Sequence, residues 1–342
     1  MVIYIYPVRT AFTDRDIEML KSGFKVRPLV FTQNAWLLLP FFLIQFLQII
    51  FLMPWTTHWV CFFGGYHTVI PSFFSRITGK KCVILCGGTD AVNMPSIQYG
   101  NYRKIWLKKA TNFSFKNCSL ILPVADSLVK NEYRFAPDVP EKQGLLNLIP
   151  DLRTPIKVIH NGFDSKFWID FNTPRAPKTF ITVAKGISKT SRATVKGIDL
   201  IEQIAPLLPE CKFTLVGDIG YQAKSANVAV LGSMDLTGLR QILNEHRYYL
   251  QLSMSEGFPN ALAEAMLCGC IPIGSEVGDV PAIIGDESLV LPQKDSTKLI
   301  ALIDRALSMD FEGYRKRARQ KIVNDYPYSK RQSELIQAVK NA

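Results

Sequence analysis

The feature that most constrains this chain is an alternation repeated along its whole length. Short apolar runs of strand length are separated by segments of helical length. VIYIYP (2–7), KVRPLVF (25–31), HWVCFF (58–63), KCVILC (81–86) and SLILPV (119–124) read as strands. Between and after them, TDRDIEMLKSGF reads as a short capped helix ending near Gly23. Residues 70–78, the basic stretch YRKIWLKKATNFSFK and DSLVKNEYRF (126–135) read as further helices. Alternating strand and helix predicts a doubly wound parallel sheet. Residues 136–155 are proline-rich and predict a loop, and IKVIHNGFDSKFW (156–168) a last strand ending at Asn161-Gly162.

A second alternating series begins at KTFITVA (178–184). It continues through helix 197–207, strand 212–218, the short strand VAVLG, helix 236–244 and strand RYYLQLSMS (247–255). ALAEAMLCG then reads as a helix closing on Gly269, followed by strand IPIG (271–274), strand SLVLP, helix 295–308 and two tail helices. At 342 residues the chain is too long for one comfortable core. The expected division is an N-terminal acceptor-side domain over 1–165, a C-terminal donor-binding domain over 166–325, and a tail over 326–342.

One segment breaks the pattern. AWLLLPFFLIQFLQIIFLMP (35–54) has no charge, two glutamines and an internal proline. Its length suits a bilayer span. The strands on either side must join one sheet, which a crossing would forbid. A helix apolar all round is buried or docked on something apolar. The expectation is therefore a buried helix, or one with a face on a membrane.

Charge narrows the partners. The chain carries 40 basic and 29 acidic side chains, a net +11 that favours anionic partners such as nucleotide phosphates or an acidic membrane surface. No nucleic-acid-binding motif accompanies it. Cys61, Cys82, Cys86, Cys118, Cys211, Cys268 and Cys270 are scattered without metal spacing and read as reduced thiols. His58, His67, His160 and His246 likewise lack ligand spacing. No metal or cofactor is expected. Asp14-Arg15-Asp16 at a helix start reads as N-terminal capping rather than as a metal-binding triplet. MVIYIYPVRTAF has no charged leader into an apolar core, so the expected compartment is the cytoplasm, with peripheral contact at the inner membrane face through 35–54 as a variant.

The chemistry concentrates in SEGFPNALAEAM (255–266). Glu256 and Glu264 stand seven intervening residues apart, with Gly257, Phe258, Pro259 and Asn260 between them. Pro259 and Asn260 suit the cap and first turn of the helix, whose free N–H groups and positive dipole end suit a phosphate or sugar hydroxyls. Glu264 lies about one turn inside, so both carboxylates reach one pocket. An ionised carboxylate accepts two donors at once and suits vicinal hydroxyls.

This stretch, with the CGCIPIGSEVGDVPAII tail behind it, resembles the nucleotide-sugar signature of family 4 retaining glycosyltransferases. The resemblance implies an α/β architecture of the GT-B type, two Rossmann-like doubly wound domains facing across a cleft. It is strong over about 156–292 and weaker before. It implies a nucleotide-sugar donor, a glycan or lipid-linked acceptor, and metal-independent transfer in cell-surface glycan assembly. It assigns Glu256 to the transferred sugar and Glu264 to the nucleotide ribose. KGISKTSRATVKGIDL resembles the family's diphosphate clamp, giving Lys196 the cation's role, with Arg192, Lys189 or Lys185 as its companion; a solvated basic loop is the plainer reading. Gly217 matches a turn below the nucleotide base.

In the first domain the resemblance departs from the family. Gly87 stands where relatives place a histidine, and the glycine loop after the first strand is replaced by PVRTAFTD. Asp90 either hydrogen-bonds a sugar hydroxyl or makes an Asx-type turn. Two other functions fit the same features: a sugar-nucleotide epimerase of similar architecture, and a non-catalytic subunit that stabilises a membrane glycan-assembly partner.

Overall fold

A computed structural model describes the whole chain, Met1–Ala342. The chain divides into two compact units, one of Met1–Glu132, Lys142–His160 and Ser329–Ala342, the other of Tyr133–Glu141 and Asn161–Tyr328.

The first unit is built on five parallel strands: β1 (Val2–Tyr6), β2 (Val26–Val30), β3 (His58–Phe62), β4 (Lys81–Cys86) and β5 (Leu120–Pro123), in the order β2-β1-β3-β4-β5. Every residue of β1 is buried, whereas β2 is an edge strand with Arg27, Pro28 and Val30 exposed. The crossovers are helices α1 (Ala11–Lys21), α2 (Leu38–Leu52), α3 (Val69–Thr78) and α4 (Ile105–Asn117). The extended chain at 155–159 adds to the far edge, where Lys157 and Ile159 donate to the Ile121 and Pro123 carbonyls.

Three expectations change here. Residues 126–135 do not form a helix. Asp126–Leu128 is one 3₁₀ turn, and β6 (Asn131–Glu132) then pairs antiparallel with β7 (Lys142–Gln143), ahead of the short α5 (Leu145–Leu148). Backbone pairing across the proline-rich loop outweighs helix propensity at this site.

The second change concerns the acidic triplet. Helix α1 begins a turn earlier than its carboxylates suggest, because Thr10 and Thr13 form a reciprocal capping box. Asp14 pairs with exposed Arg9. Asp16 faces inward, accepting from the Tyr4 hydroxyl at 3.0 Å and pairing with Arg331 at 2.9 Å. Burial and the Asp16 carboxylate push the Tyr4 phenol up. The two acids thus serve different partners.

The third change is α2. Its flanking strands both pair in parallel with β1, at Tyr4↔Pro28 and Tyr4↔Val60, as the expectation against a crossing requires. Yet α2 is not core. Only Gln45, Ile49 and Leu52 are buried, and Leu39 is 82 % exposed.

The second unit carries six parallel strands: β8 (Thr179–Val183), β9 (Lys212–Val216), β10 (Val228–Leu231), β11 (Tyr248–Gln251), β12 (Ile271–Ser275) and β13 (Val290–Leu291). Their order is β10-β9-β8-β11-β12-β13, so the winding reverses between β8 and β11. Helices α6 (Thr190–Val195), α7 (Ile198–Ile204), α8 (Leu236–Asn244), α9 (Asn260–Leu267), α10 (Val280–Ile284), α11 (Ser296–Ser308) and α12 (Phe311–Asp325) cover it. A stack of Phe213, Phe180 and Tyr248 fills its centre. Arg315 and Arg175 both bind Asp170, tying the lead-in segment to α12. The last helix, α13 (Tyr328–Lys340), starts at the unit boundary, and from Ser329 onward belongs to the first unit.

Candidate functional site

In an open parallel sheet, ligands bind beyond the carboxyl ends of the strands where the winding order reverses. In the second unit that point lies between the chain leaving β8, residues 184–189, and the chain leaving β11, residues 252–259. Two glycines hold these exits in place. Gly197 has φ +69°, and a Cβ there would lie 2.0 Å from the Leu252 carbonyl oxygen. Met254 N–H donates to the Val195 carbonyl at 2.8 Å. Gly278 has φ +57°, and its Cβ would lie 2.0 Å from the Glu256 carbonyl oxygen. The Lys196-Gly197 turn, the Glu256-Gly257 backbone and the GDVP turn are therefore in contact, and no side chain fits at either glycine.

This packing brings Lys196 and Glu256 together. The ammonium donates to Glu256 Oε1, which also accepts from Gln251 Nε2 at 3.1 Å. Lys196 and Glu256 retain 18 % and 14 % side-chain exposure, so the pair is screened yet open to solvent on one side. Glu264 is buried on the second turn of α9. Tyr249, on β11, feels both carboxylates. Burial first, and then the charges of Glu256 and Glu264, hold its phenol well above the usual value.

The other predicted residues divide by what they touch. Asn260 accepts from Asn161 Nδ2 at 3.0 Å, which anchors the start of α9 to the Asn-Gly turn. Pro259 is buried as the cap, and the Gly257 carbonyl accepts from Asp279 N–H at 3.2 Å. Phe258 does not face a ligand: it stacks on Phe163 at 5.8 Å and meets Tyr326 edge-on at 5.0 Å, a core residue that fixes the loop. Gly217, with φ +127°, lets the exit of β9 approach Ala184, and Asp218 beside it accepts from Ser188 N–H at 2.8 Å. That bond, with a second from the Ser188 side chain and one from Gly220 N–H, holds Asp218 below the usual carboxylate range. Arg192 lies on α6 with its Nε 3.4 Å from the Lys185 carbonyl; Lys185 and Lys189 are exposed.

Asp90 requires a correction. It is fully buried, its oxygens accept from Gly64 N–H at 2.8 Å, Gly88 N–H at 3.0 Å and Gly87 N–H at 3.2 Å, and burial raises its pKa. It is a loop-closing carboxylate with no face toward a sugar. The absent histidine at Gly87 has a steric reason: a Cβ there would lie 1.6 Å from the Phe63 ring.

Two residues at the site were not anticipated. Gln251, the last residue of the strand YYLQ, donates to Glu256 and was legible as a polar residue at a buried strand end. Lys294 pairs with Asp199 at 2.5 Å and lies 3.5 Å from Met254 Sδ; only tertiary folding brings it there.

Two doubly wound parallel units, the second with its charged groups at the reversal point, define the GT-B architecture. Residues 185–309, the segment bearing the site, match the family model described as glycosyl transferases group 1. The chain is 24 % identical over 232 residues to the phosphatidylinositol N-acetylglucosaminyltransferase GPI3 subunit of Saccharomyces cerevisiae, covering 62 % of this chain and 48 % of that one. It is 30 % identical over 124 residues to the corresponding gpi3 subunit of Schizosaccharomyces pombe, a match covering 32 % of this chain and 26 % of that one. The chain thus spans less than half the length of these relatives. Among solved structures, sucrose-phosphate synthase from Thermosynechococcus elongatus superposes with a TM-score of 0.74 at 12 % identity, covering 100 % of this chain and 98 % of that one. Anabaena Alr3699/HepE in complex with UDP gives 0.70 at 13 % identity, with 100 % of each chain covered. At these identities the superpositions show the fold.

Proposed function

We propose that the chain is a retaining glycosyltransferase of the family 4 kind, moving a sugar from a nucleotide-sugar donor to a lipid-linked acceptor at the cytoplasmic face of a membrane. The observation that carries this reading is the Lys196–Glu256 pair at the reversal point of the second sheet, with Glu264 behind it on α9.

Departure of a nucleoside diphosphate builds negative charge on the leaving oxygen, and a fixed ammonium stabilises that charge most where it grows. Lys196 supplies it, with Arg192, the companion cation that the resemblance names, on the preceding helix α6. A diphosphate reaching Lys196 shares its ammonium with Glu256, which frees that carboxylate to accept hydroxyls of the transferred sugar. Glu264 takes the vicinal ribose hydroxyls. The acceptor oxygen bonds to the anomeric carbon on the face from which the diphosphate leaves, and its proton passes to the departing phosphate oxygen. No side chain is assigned a covalent intermediate. Because protein cations meet the diphosphate, a chelator is expected to leave turnover unchanged.

The relatives' names make N-acetylglucosamine donors and inositol phospholipids the first pair to test, and the UDP complex of Anabaena HepE makes uridine the first base. The exposed apolar face of α2 supports peripheral membrane contact. Titrating a panel of nucleotide sugars by calorimetry, then following transfer, tests the reading. Glu264→Ala should cost about 1.5–3 kcal/mol of donor affinity, a loss of the ribose hydrogen bonds, with the fold intact. Unchanged affinity rules out the ribose role. Those relatives are named as subunits, which favours one competitor, a donor-binding component without its own turnover. Donor binding without transfer to any acceptor would select it, and donor conversion without acceptor would select an epimerase.

A further inference from the structure

Helix α2 is inside-out for a helix in water. Of its two polar side chains, Gln48 is exposed and Gln45 is not. Gln45 is buried and donates to the His67 carbonyl at 2.8 Å, while Leu39, Leu43, Leu47 and Phe51 form a stripe facing outward. Trp36, 92 % exposed, and Trp55, 59 % exposed, stand at its two ends, where amphipathic rings sit at a membrane–water boundary. The neighbouring helix α3 extends the apolar surface with Phe73 and Ile77.

The charge around this surface has one sign. From Lys21 to Lys116 the chain contains a single acid, Asp90, and that acid is fully buried. The sheet register sets Val26, Val2, His58 and Lys81 at one level across four strands, which defines the amino-terminal edge of the sheet. At this edge, where α2 ends, lies a hollow of about 660 Å³ lined by Lys25, Arg27, Pro28, Phe51, Leu52 and Trp55. Phe51 and Trp55 pack against each other at 5.9 Å as its apolar wall. Lys25 and Arg27 have no acidic partner for their side chains. Lys80, bonded to the Thr56 carbonyl at 2.6 Å, and exposed Lys81 add positive charge along the same edge. The glycine and Asp90 loops lie at the opposite, carboxyl edge, so the hollow is separate from any acceptor-side site.

We propose that this hollow holds the phosphate headgroup of an anionic phospholipid, while the stripe of α2 lies in the acyl boundary of the same bilayer. A headgroup phosphate meets two unpaired cations, and its acyl chains continue along Phe51 toward Leu47. The inference rests on the membrane contact proposed above and adds the lipid class and the residues that select it.

Flotation of the full chain tests it, with vesicles of phosphatidylcholine alone and of phosphatidylcholine mixed with phosphatidylglycerol. The chain is expected to float with the anionic vesicles at low salt and to bind neutral ones far more weakly. Lys25→Ala/Arg27→Ala should weaken anionic partitioning roughly 30-fold, from about 1 kcal/mol per cation, with the melting temperature and donor affinity unchanged. Lys108→Ala/Lys109→Ala removes the same charge away from the hollow and should cost only a few-fold. Equal losses in the two double variants would mean diffuse attraction and overturn the headgroup site. Flotation indifferent to Lys25 and Arg27 would do the same while leaving membrane contact standing. Flotation with neither vesicle would sink the membrane contact itself, without touching the donor reading. Release from vesicles by soluble glycerophosphate would show that a free phosphate is the ligand. A lipid-independent dimer that Leu47→Glu converts to monomer without changing flotation would make the face a contact between copies; both outcomes overturn the proposal.

Discussion

The two units share an architecture and differ in what they do with it. In the second unit the reversal point gathers charge: Lys196 pairs with Glu256 where β8 and β11 end, Glu264 is buried on α9, and glycines at 197 and 278 let the backbone approach within side-chain distance. In the first unit the exits of β3 and β4 are packed shut. Phe63 fills the space beside Gly87, and Asp90 spends its oxygens on three backbone N–H groups. The unusual chemistry of the first unit lies instead on its flank, in an apolar helix and an unpaired cationic edge. A doubly wound sheet offers a ligand position at its reversal point; side chains decide whether it is used.

Four substitutions and a titration test that contrast. The largest effect is expected for Lys196→Ala, a fall in turnover of about 10²–10³ with a smaller change in donor affinity, because the ammonium acts most strongly as charge develops. Steady-state kinetics with separate kcat and KM decide it. A drop in affinity alone would reduce the second unit's cation to ground-state binding.

Next come the glycines. Gly278→Ala sets a Cβ against the Glu256 carbonyl at a positive φ and should cost more than about 2 kcal/mol, seen as lost stability and lost donor binding together. Gly79, with φ +71° and nothing within 4 Å, is its counterpart in the first unit. Gly79→Ala should cost only the backbone strain, about 1 kcal/mol, and leave donor binding alone. Equal costs in urea unfolding would contradict the close packing at the second reversal point.

Asp90→Asn lies between these two. Its amide nitrogen replaces an acceptor facing Gly64 N–H, which should destabilise the chain by about 1–3 kcal/mol without changing affinity for donor. A change in sugar affinity at full stability would restore a binding role.

The smallest effect is in pH. Burial raises the Asp90 pKa, so its contribution is fullest below the ordinary carboxylate range and declines as pH rises through the raised value. At Asp170 burial pushes upward too, but Arg315 and Arg175 outweigh it and the net shift is downward. Its contribution is present above the ordinary value and is lost as pH falls through the lowered one. Acid titration of stability should therefore flatten on the acid side in Asp170→Asn, and the Asp90→Asn profile should change in the opposite sense.

Much of this molecule was legible because the signals are local. Strand-length apolar runs and helical intervals are patterns within a few residues, and they yielded both parallel sheets, since parallel pairing requires a crossover at each step. Glu256, Glu264 and the Lys196-Gly197 turn were legible for the same reason, as residue types set at short spacing on a strand end and a helix start. The ribbon at 131–143 was not, because its backbone pairing involves residues about ten positions apart and overrides a helical pattern.

The rest depended on distance in the chain. Gln251 and Lys196 meet at Glu256, Lys294 reaches Met254, and Asp16 pairs with Arg331 across nearly the whole sequence. Residue type alone does not specify such encounters. Helix α2 shows the division most clearly. Its composition established that it must leave water, and the strands on either side argued against a bilayer crossing. A helix apolar all round carries no face in its sequence, so only the packed structure decided that Gln45 turns inward and Leu39, Leu43 and Phe51 turn out.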